Sequence, residues 1–214
     1  MGRYLLFSGG YDSVAALINE CKTNATFENA INVISIEHDN LPKNELKMES
    51  TARKKILRIL KKKYNIKEII IKIDSNDSCK KGDYGLIQQT WWILHSLPSI
   101  PVDGTLVFGY YSRDQIMRNI DDIQKIVDAV NKIQDKKIQL YYPFQYWEKI
   151  DIIKVVKEEG LFDYCWTCDE PIKEGRKLIE CGKCHKCVEK KLALYEIEIY
   201  DKINKQNKNE IKRI

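Results

Sequence analysis

Hydrophobic and polar positions follow two alternating patterns along the chain. Short apolar runs rich in Val, Ile and Tyr are followed by longer segments whose apolar residues recur at helical spacing. This order is typical of strand–helix–strand units around a parallel sheet. We predict strands at residues 3–7, 32–36, 68–73, 105–109 and 138–142, and helices from about residues 12, 43, 84, 112 and 148, with a last helix after 186.

These elements predict an α/β domain over residues 1–162, with a doubly wound, mostly parallel sheet of five strands. A cysteine-rich segment with the C-terminal helix, residues 163–203, and a basic tail, residues 204–214, are predicted to follow. Ligands of such sheets bind at the carboxyl ends of the strands. The chemistry is therefore expected in the segments that leave the strands there: residues 7–13, 36–40, 74–83 and 109–113.

The helix from residue 43 has the clearest period, because Leu46 and Leu60 lie on an apolar face opposite Lys and Arg. Asn40, just before Leu41 and Pro42, is predicted to cap it. Turn residues without periodicity predict a mobile loop at 74–83.

Composition narrows the class of protein. The 214 residues include 36 basic and 31 acidic ones, a net charge of +5 that suits solvated helix faces with some attraction for phosphate. The chain has no run of 18 apolar residues and no basic start followed by an apolar stretch, which predicts a cytoplasmic protein without a membrane span. A nucleic-acid partner is not indicated, since it would need a denser basic patch with aromatic residues.

The segment "FSGGYDS" connects the first strand to the first helix. Its candidate ligand-binding residues are Ser8, Gly9, Gly10, Asp12 and Ser13. Glycines allow backbone N–H groups to turn inward, and a helix N-terminus adds positive potential, so the context predicts a phosphate cradle. An ordinary Gly-Gly turn is the simpler alternative. The spacing fits neither the Walker pattern nor the dinucleotide fingerprint.

These five residues resemble the SGGxDS signature of the ATP pyrophosphatase family. The resemblance implies an adenine nucleotide alpha hydrolase-like fold, and it implies that the loop holds the β and γ phosphates while ATP is split to AMP and pyrophosphate. Mg²⁺ and backbone donors would stabilise the departing pyrophosphate. Asp12 and Ser13 are the candidate catalytic residues, with Asp12 either capping the loop or approaching the metal.

The segment "CWTCDEPIKEGRKLIECGKCHKC" carries five of the seven cysteines. Two Cys-x-x-Cys steps and an upstream cysteine suit a tetrahedral Zn²⁺ with four thiolates. The predicted ligands are Cys168, Cys181, Cys184 and Cys187; Cys165 is the spare thiol and His185 a weaker substitute. Metal-free buried thiols and an iron–sulfur cluster are the alternatives.

With both motifs in place, the chain resembles 7-cyano-7-deazaguanine synthase. Trp166, Thr167 and Cys168, followed by Cys-Gly-x-Cys-x-x-Cys, carry the match, and the stretch "YPFQYWEKIDIIKVVKEEGLFD" is similar to the segment that precedes the family's zinc loop. The resemblance implies a 7-deazaguanine base and ammonia as substrates, ATP with Mg²⁺, a structural Zn²⁺, an amide or nitrile product and a homodimer.

The middle of the chain departs from that family. The usual Gly-Arg-Asn and Tyr-Pro-Asp-Cys-Arg elements are replaced by "DYGLIQQTWWILHSL" and "FGYYSRDQIMRN", where residues 111–114 fit loosely. Two other functions therefore stay open: activation of a different acceptor, on nucleic acid or a protein terminus, and nucleotide binding without turnover. Trp91, Trp92 and His95 are read as packing residues, while His38 is open to either role.

Overall fold

The computed structural model describes residues 2–24, 29–38, 42–73 and 88–211. Five strands form one parallel sheet in the spatial order β3-β2-β1-β4-β5. They are β1 (Gly2–Leu6), β2 (Ile31–His38), β3 (Ile66–Ile73), β4 (Asp103–Val107) and β5 (Lys137–Tyr141). The α/β class and the five-stranded parallel sheet are confirmed.

Six α-helices cover the two faces of the sheet in this part of the chain. They are α1 (Tyr11–Thr23), α2 (Lys43–Leu60), α3 (Gln88–Ser96), α4 (Ile120–Gln134), α5 (Lys149–Glu158) and α6 (His185–Ile211). One buried cluster joins the sheet to α1, α2, α5 and α6, and a second joins it to α3 and α4. A parallel sheet needs apolar side chains on both faces, which explains the Val- and Ile-rich strands.

The helix predicted from residue 112 begins later than expected. A 3₁₀ helix, Gln115–Asn119, precedes α4, and residues 108–114 stay irregular. The carboxylate of Asp114 accepts a hydrogen bond of 3.0 Å from the Tyr111 N–H, and such local bonding competes with helix formation. This correction places the polar segment after β4 in an irregular loop.

A small hairpin was missing from the sequence prediction. Strands β6 (Ile172–Glu174) and β7 (Lys177–Ile179) pair antiparallel, and the turn holds Gly175 at φ 58°. Strands of three residues are too short for an alternating pattern to be recognised. The hairpin lies between Cys168 and Cys181, so it is an excursion within the cysteine-rich segment.

Three sequence expectations lie outside the described residues. These are the Asn40 cap of α2, the loop at 74–83 beyond Ile73, and the start of a helix at residue 84. Within the described range, α6 continues through the basic segment as far as Ile211. No helix in the described part of the chain is long and apolar enough to cross a membrane.

The sheet order reverses direction beside β1, because β2 lies on one side of it and β4 on the other. Crevices at such switch points are where open α/β sheets bind ligands. Gly109, which follows β4, approaches the start of α1 so closely that a Cβ there would lie 2.3 Å from the Asp12 carbonyl oxygen. Only glycine allows this contact between the two segments.

We predict that Gly109→Ala displaces the start of α1 and lowers the free energy of unfolding by about 1–3 kcal/mol, because the clash is with backbone atoms. Gly175→Ala is the comparison, since a Cβ there would meet no atom within 4 Å and only the left-handed φ of 58° would be strained. Chemical denaturation of the two variants measures the difference. Equal stabilities would contradict a special role for Gly109.

Candidate functional site

The SGGYDS loop is held in shape by its two serine hydroxyls. The Gly9 N–H donates to Ser13 Oγ at 3.2 Å, and the Ser13 hydroxyl donates to the Gly10 carbonyl at 3.0 Å. The Gly10 N–H donates to Ser8 Oγ at 3.3 Å. Gly9 has a backbone φ of 88°, which residues other than glycine rarely adopt. The loop thus leads directly into the N-terminus of α1, whose first N–H groups have no partner within the helix.

The segment just before the cysteine cluster packs against the other side of this loop. The Trp166 N–H donates to the Gly9 carbonyl at 3.1 Å. A Cβ on Gly10 would lie 3.3 Å from the Thr167 methyl group, which leaves little space for a larger residue. Hence the two motifs that stand furthest apart in the sequence are in direct contact.

Lys149, the first residue of α5, carries the positive charge nearest to Asp12. Its ammonium group donates to both carboxylate oxygens of Asp12 at 2.9 Å and lies 3.4 Å from the Glu189 carboxylate. It also lies 4.9 Å from the centre of the Tyr111 ring. Burial lowers the pKa of Lys149, but the two carboxylates outweigh it and the net pKa is raised, so the group is a cation. Asp12 is therefore held in an ion pair with Lys149.

The irregular loop after β4 completes this side of the site. The Tyr111 hydroxyl donates to the Glu189 carboxylate, and Asp114 accepts from the Tyr111 N–H. Burial, followed by repulsion from Asp12, raises the pKa of Asp114 to about 7. Arg113 lies at the rim, where it forms an ion pair of 2.8 Å with Glu148. These side chains come from the segment that the sequence matched only loosely.

Two cavities meet at the loop. The smaller, about 170 Å³, lies between the ends of β1, β2 and β4 and is lined by apolar side chains that include Ile36, Trp92 and Phe108. The larger, about 640 Å³, is polar and extends over the loop toward the start of α6. Ser8, Asp12, Glu49, Asp114 and Lys186 line both. A flat apolar ring and a polyanion would therefore find separate surroundings on either side of the same loop.

Basic and acidic side chains both line the larger cavity. Its basic lining residues are Arg113, Arg118, Lys149, Lys186 and Lys190, and its acidic ones are Asp12, Glu49, Asp114 and Glu189. Burial raises the pKa of Glu49 to about 7 even though Lys186 and Arg53 oppose the shift. Near neutral pH the carboxyl groups of Glu49 and Asp114 are therefore partly protonated, and the lining is more positive than the residue count suggests.

Four cysteines converge behind this cavity. The Sγ atoms of Cys168, Cys181, Cys184 and Cys187 all lie within 4.8 Å of one another. The N–H groups of Lys183 and Cys184 donate to the Cys181 sulfur at 3.5 and 3.3 Å, and lower the pKa of that thiol to about 7. Gly182, at φ 71°, allows the tight turn between them. This cluster is able to bind a metal ion.

The thiol of Cys165 lies apart from the cluster. It is buried and donates to the Leu161 carbonyl at 3.5 Å, and burial raises its pKa. It is not a member of the metal-ligating group, and neither is His185. Among the described residues, that group is the one set of three or more His, Cys, Asp or Glu side chains placed to share a metal.

Ion pairs connect both ends of the hairpin excursion to α6. Lys186 lies 2.7 Å from Asp169, which follows Cys168, and Lys190 lies 2.8 Å from Glu180, which precedes Cys181. Both lysines line the larger cavity. The arrangement that gathers the cysteines thus also fixes the first two turns of α6 beside the SGGYDS loop.

Sequence reasoning missed Lys149 and Glu189. A signal for Lys149 exists: it stands in the first turn of a helix with a capping box formed by Glu148 and Asp151, where the helix dipole disfavours a cation. A lysine in such a position usually has carboxylate partners elsewhere in the fold. Nothing local marks Glu189, because its partners Lys149 and Tyr111 are distant in sequence.

The aromatic residues of α3 divide between two roles. Trp91 packs against His38 and His95, with ring centres 5.7 and 4.0 Å away. Burial, followed by the nearby His38, lowers the pKa of His95, in keeping with a packing residue. Trp92 instead lines the smaller cavity. The expectation that both tryptophans are packing residues therefore fits Trp91 but does not account for the position of Trp92.

Solved structures that are similar to this chain include two of low identity. The U34-tRNA thiolase NcsA from Methanococcus maripaludis, with its 4Fe-4S cluster, is 13% identical with a TM-score of 0.49; the match covers 75% of this chain and 58% of that one. NMN synthetase from Francisella tularensis is 13% identical with a TM-score of 0.37, over 78% and 66% of the two chains. This chain thus spans less than two thirds of either structure.

No curated protein matches the chain. The family model described as queuosine biosynthesis protein QueC matches residues 112–198. That range runs from the loop after β4, through Lys149 and the four cysteines, into α6. Residues 112–198 of this chain are therefore similar to the QueC family.

Proposed function

We propose that the protein is an ATP-dependent synthase that activates a carboxylate as its adenylate and delivers ammonia to it, as in the formation of 7-cyano-7-deazaguanine. The observation that carries this proposal is the SGGYDS loop at the sheet's switch point, with Lys149 beside it and a cationic cavity above it. The QueC match over residues 112–198, a range that contains Lys149 but not the SGGYDS loop, also supports it.

The loop supplies the phosphate site. Ser8, Gly9, Gly10 and Ser13 would hold the β and γ phosphates, because a phosphate oxygen would accept from the N–H groups that now donate to the two serine hydroxyls. The smaller cavity would take the adenine ring against apolar side chains. Lys149, Lys186 and Lys190 would then face the polyphosphate from the larger cavity.

The reaction divides into two ATP-dependent stages, formation of the amide and its dehydration to the nitrile. A carboxylate oxygen of the acceptor attacks the α-phosphorus, which forms the adenylate and releases pyrophosphate. Ammonia then attacks the carbonyl carbon, the bond to AMP breaks, and loss of a proton leaves the amide. A second ATP activates the amide oxygen in the same way, and departure of AMP with the N–H proton gives the nitrile. The positive cavity would stabilise charge on each leaving group.

Magnesium would enter with the nucleotide. No cluster of three carboxylates forms among the described residues, and Asp12 is engaged by Lys149. Mg²⁺ commonly uses one or two carboxylates together with substrate phosphates, and Asp12 is placed to be one of them. When bound, the ion would neutralise charge on the departing pyrophosphate.

We further propose that the cysteine cluster holds a single Zn²⁺. A tetrahedral site with metal–sulfur bonds of about 2.3 Å has sulfur–sulfur edges of about 3.8 Å. The Cys168 and Cys184 sulfurs lie 4.0 Å apart, close to that edge. A 4Fe–4S cluster would hold its thiolates farther apart, because each binds a different iron, and a 2Fe–2S cluster would separate them into two pairs. Four thiolates without an open position suit a structural role for the metal.

We expect AMP and a base-derived amide or nitrile when the protein is mixed with Mg²⁺-ATP, ammonium and 7-carboxy-7-deazaguanine. Asp12→Asn should reduce AMP formation at least tenfold, since it removes a counterion of Lys149 beside the phosphates. Chromatography of nucleotide and base products is the measurement, with the base omitted as a blank. Asp122→Asn, which breaks an exposed ion pair with Lys125, is the matched control.

The outcome separates three functions. AMP formed only with a nucleic-acid or protein acceptor would replace the deazaguanine base in this proposal. ATP left intact under every condition would indicate a nucleotide-binding protein without turnover. Full activity in Asp12→Asn would reject the assignment of the loop.

For the metal, we predict about one Zn per chain in protein purified without added metal. Cys181→Ser should lose most of it, whereas Cys165→Ser, whose thiol bonds to Leu161, should keep it. Elemental analysis of the three proteins tests this. Iron in place of zinc, or equal metal content in both variants, would contradict a zinc site at these four cysteines.

A further inference from the structure

We propose that Glu189, braced by Tyr111, is a positioning residue that keeps Lys149 charged and directed at the phosphate loop. The inference rests on the proposed function for its purpose, but its geometry stands independently. Glu189 lies on α6, Tyr111 in the loop after β4 and Lys149 at the start of α5. The chain therefore uses three separate elements to place one ammonium group.

Lys149 needs more than one counterion. Its side chain is only 14% exposed, and it stands at the N-terminus of α5, where the helix dipole is unfavourable to a cation. Asp12 contacts it through both carboxylate oxygens at 2.9 Å. If Asp12 turned toward a magnesium ion, a lysine with that single partner would be left as a poorly compensated buried charge. Glu189 removes this difficulty.

Glu189 is better fixed than Asp12 for this task. Its carboxylate accepts the Tyr111 hydroxyl and lies 3.4 Å from the Lys149 ammonium. It follows Cys187 by two positions, so the turn that carries it begins at the cysteine cluster. Asp12, by contrast, belongs to the loop that receives the phosphates. One carboxylate is thus free to change partners while the other stays with the lysine.

Three neighbouring elements each place a carboxyl group near Lys149. They are Asp12 from α1, Glu189 from α6 and Asp114 from the loop after β4. All three raise the pKa of Lys149 against the effect of burial. Removing the Glu189 charge should therefore lower that pKa, and the cation should be lost at a lower pH than in the native protein.

The test measures Lys149 directly. The folded, metal-containing protein is treated with trace acetic anhydride from pH 7 to 10.5, and acetylation of Lys149 is followed by mass spectrometry. Only the neutral amine reacts, so each unit by which the pKa falls raises the rate about tenfold at a fixed lower pH. We expect Glu189→Gln to raise the Lys149 rate about tenfold, Tyr111→Phe to raise it less, and Glu189→Asp to lie near the native rate.

Two controls test whether the change is specific to Glu189 and to Lys149. Glu196→Gln removes an exposed carboxylate from the same helix and should leave the Lys149 rate unchanged. Lys125, an exposed lysine paired with Asp122, serves as an internal reference in every sample. Circular dichroism and metal content show that each variant is folded. A Glu189→Gln profile that coincides with those of native protein and Glu196→Gln would overturn the proposal.

Adding Mg²⁺-ATP distinguishes this inference from the proposed function. If ATP protects native Lys149 from acetylation, the loop binds nucleotide; if it does not, the proposed function fails, while the Glu189→Gln comparison still decides the positioning role. Where AMP formation is measurable, Glu189→Gln should lower kcat more than it changes KM for ATP, and its alkaline limb should move to lower pH. An unmoved alkaline limb would count against Glu189 as the positioning residue.

Discussion

The site depends on one buried ammonium group. Lys149 attracts carboxylates from α1 and α6, and through Glu189 it engages the Tyr111 hydroxyl from the loop after β4. Removing one of these carboxylates is destabilising, because the partly buried ammonium group then loses part of its charge compensation. This penalty keeps together segments that are more than a hundred residues apart in the chain. Electrostatics thus specifies the arrangement that apolar packing alone would leave loose.

Backbone contacts add a second constraint, partly steric and partly a hydrogen bond. Gly109 allows the end of β4 to touch the first turn of α1, and the Trp166 N–H bonds to the Gly9 carbonyl from the opposite side. The SGGYDS loop is therefore held between two other segments and is not an isolated turn. A preorganised loop loses less entropy when it binds an anion, which favours both affinity and stabilisation of a leaving group.

Much of this architecture is readable in the sequence. The alternation of apolar runs and helical periods predicts the five-stranded parallel sheet, because a buried sheet needs continuous apolar strands. The SGGYDS residues gather at the sheet's switch point, and the four predicted cysteines converge, because both sets are close in sequence and carry strong turn signals. The positions of residues in such local motifs can be predicted from the sequence, because they depend on nearby residues.

Other features depend on contacts between distant segments and leave no local signal. The role of Glu189 is visible only once α6 lies beside α5 and the loop after β4. The late start of α4 follows from a side-chain contact of Asp114 that helical periodicity does not report. The position of Trp92 on a cavity wall likewise requires the ends of three strands to be in place. Such properties belong to the tertiary structure.

The hairpin of β6 and β7 gives the protein a natural point of attachment. Its two ends are held by Cys168 and Cys181 and by ion pairs with α6, while the tip at Gly175 has open space around it. Since loop closure is already fixed at the base, extra residues at the tip add little entropic cost. A fluorophore, an affinity tag or a surface linker could be introduced there, in a segment that lines neither cavity.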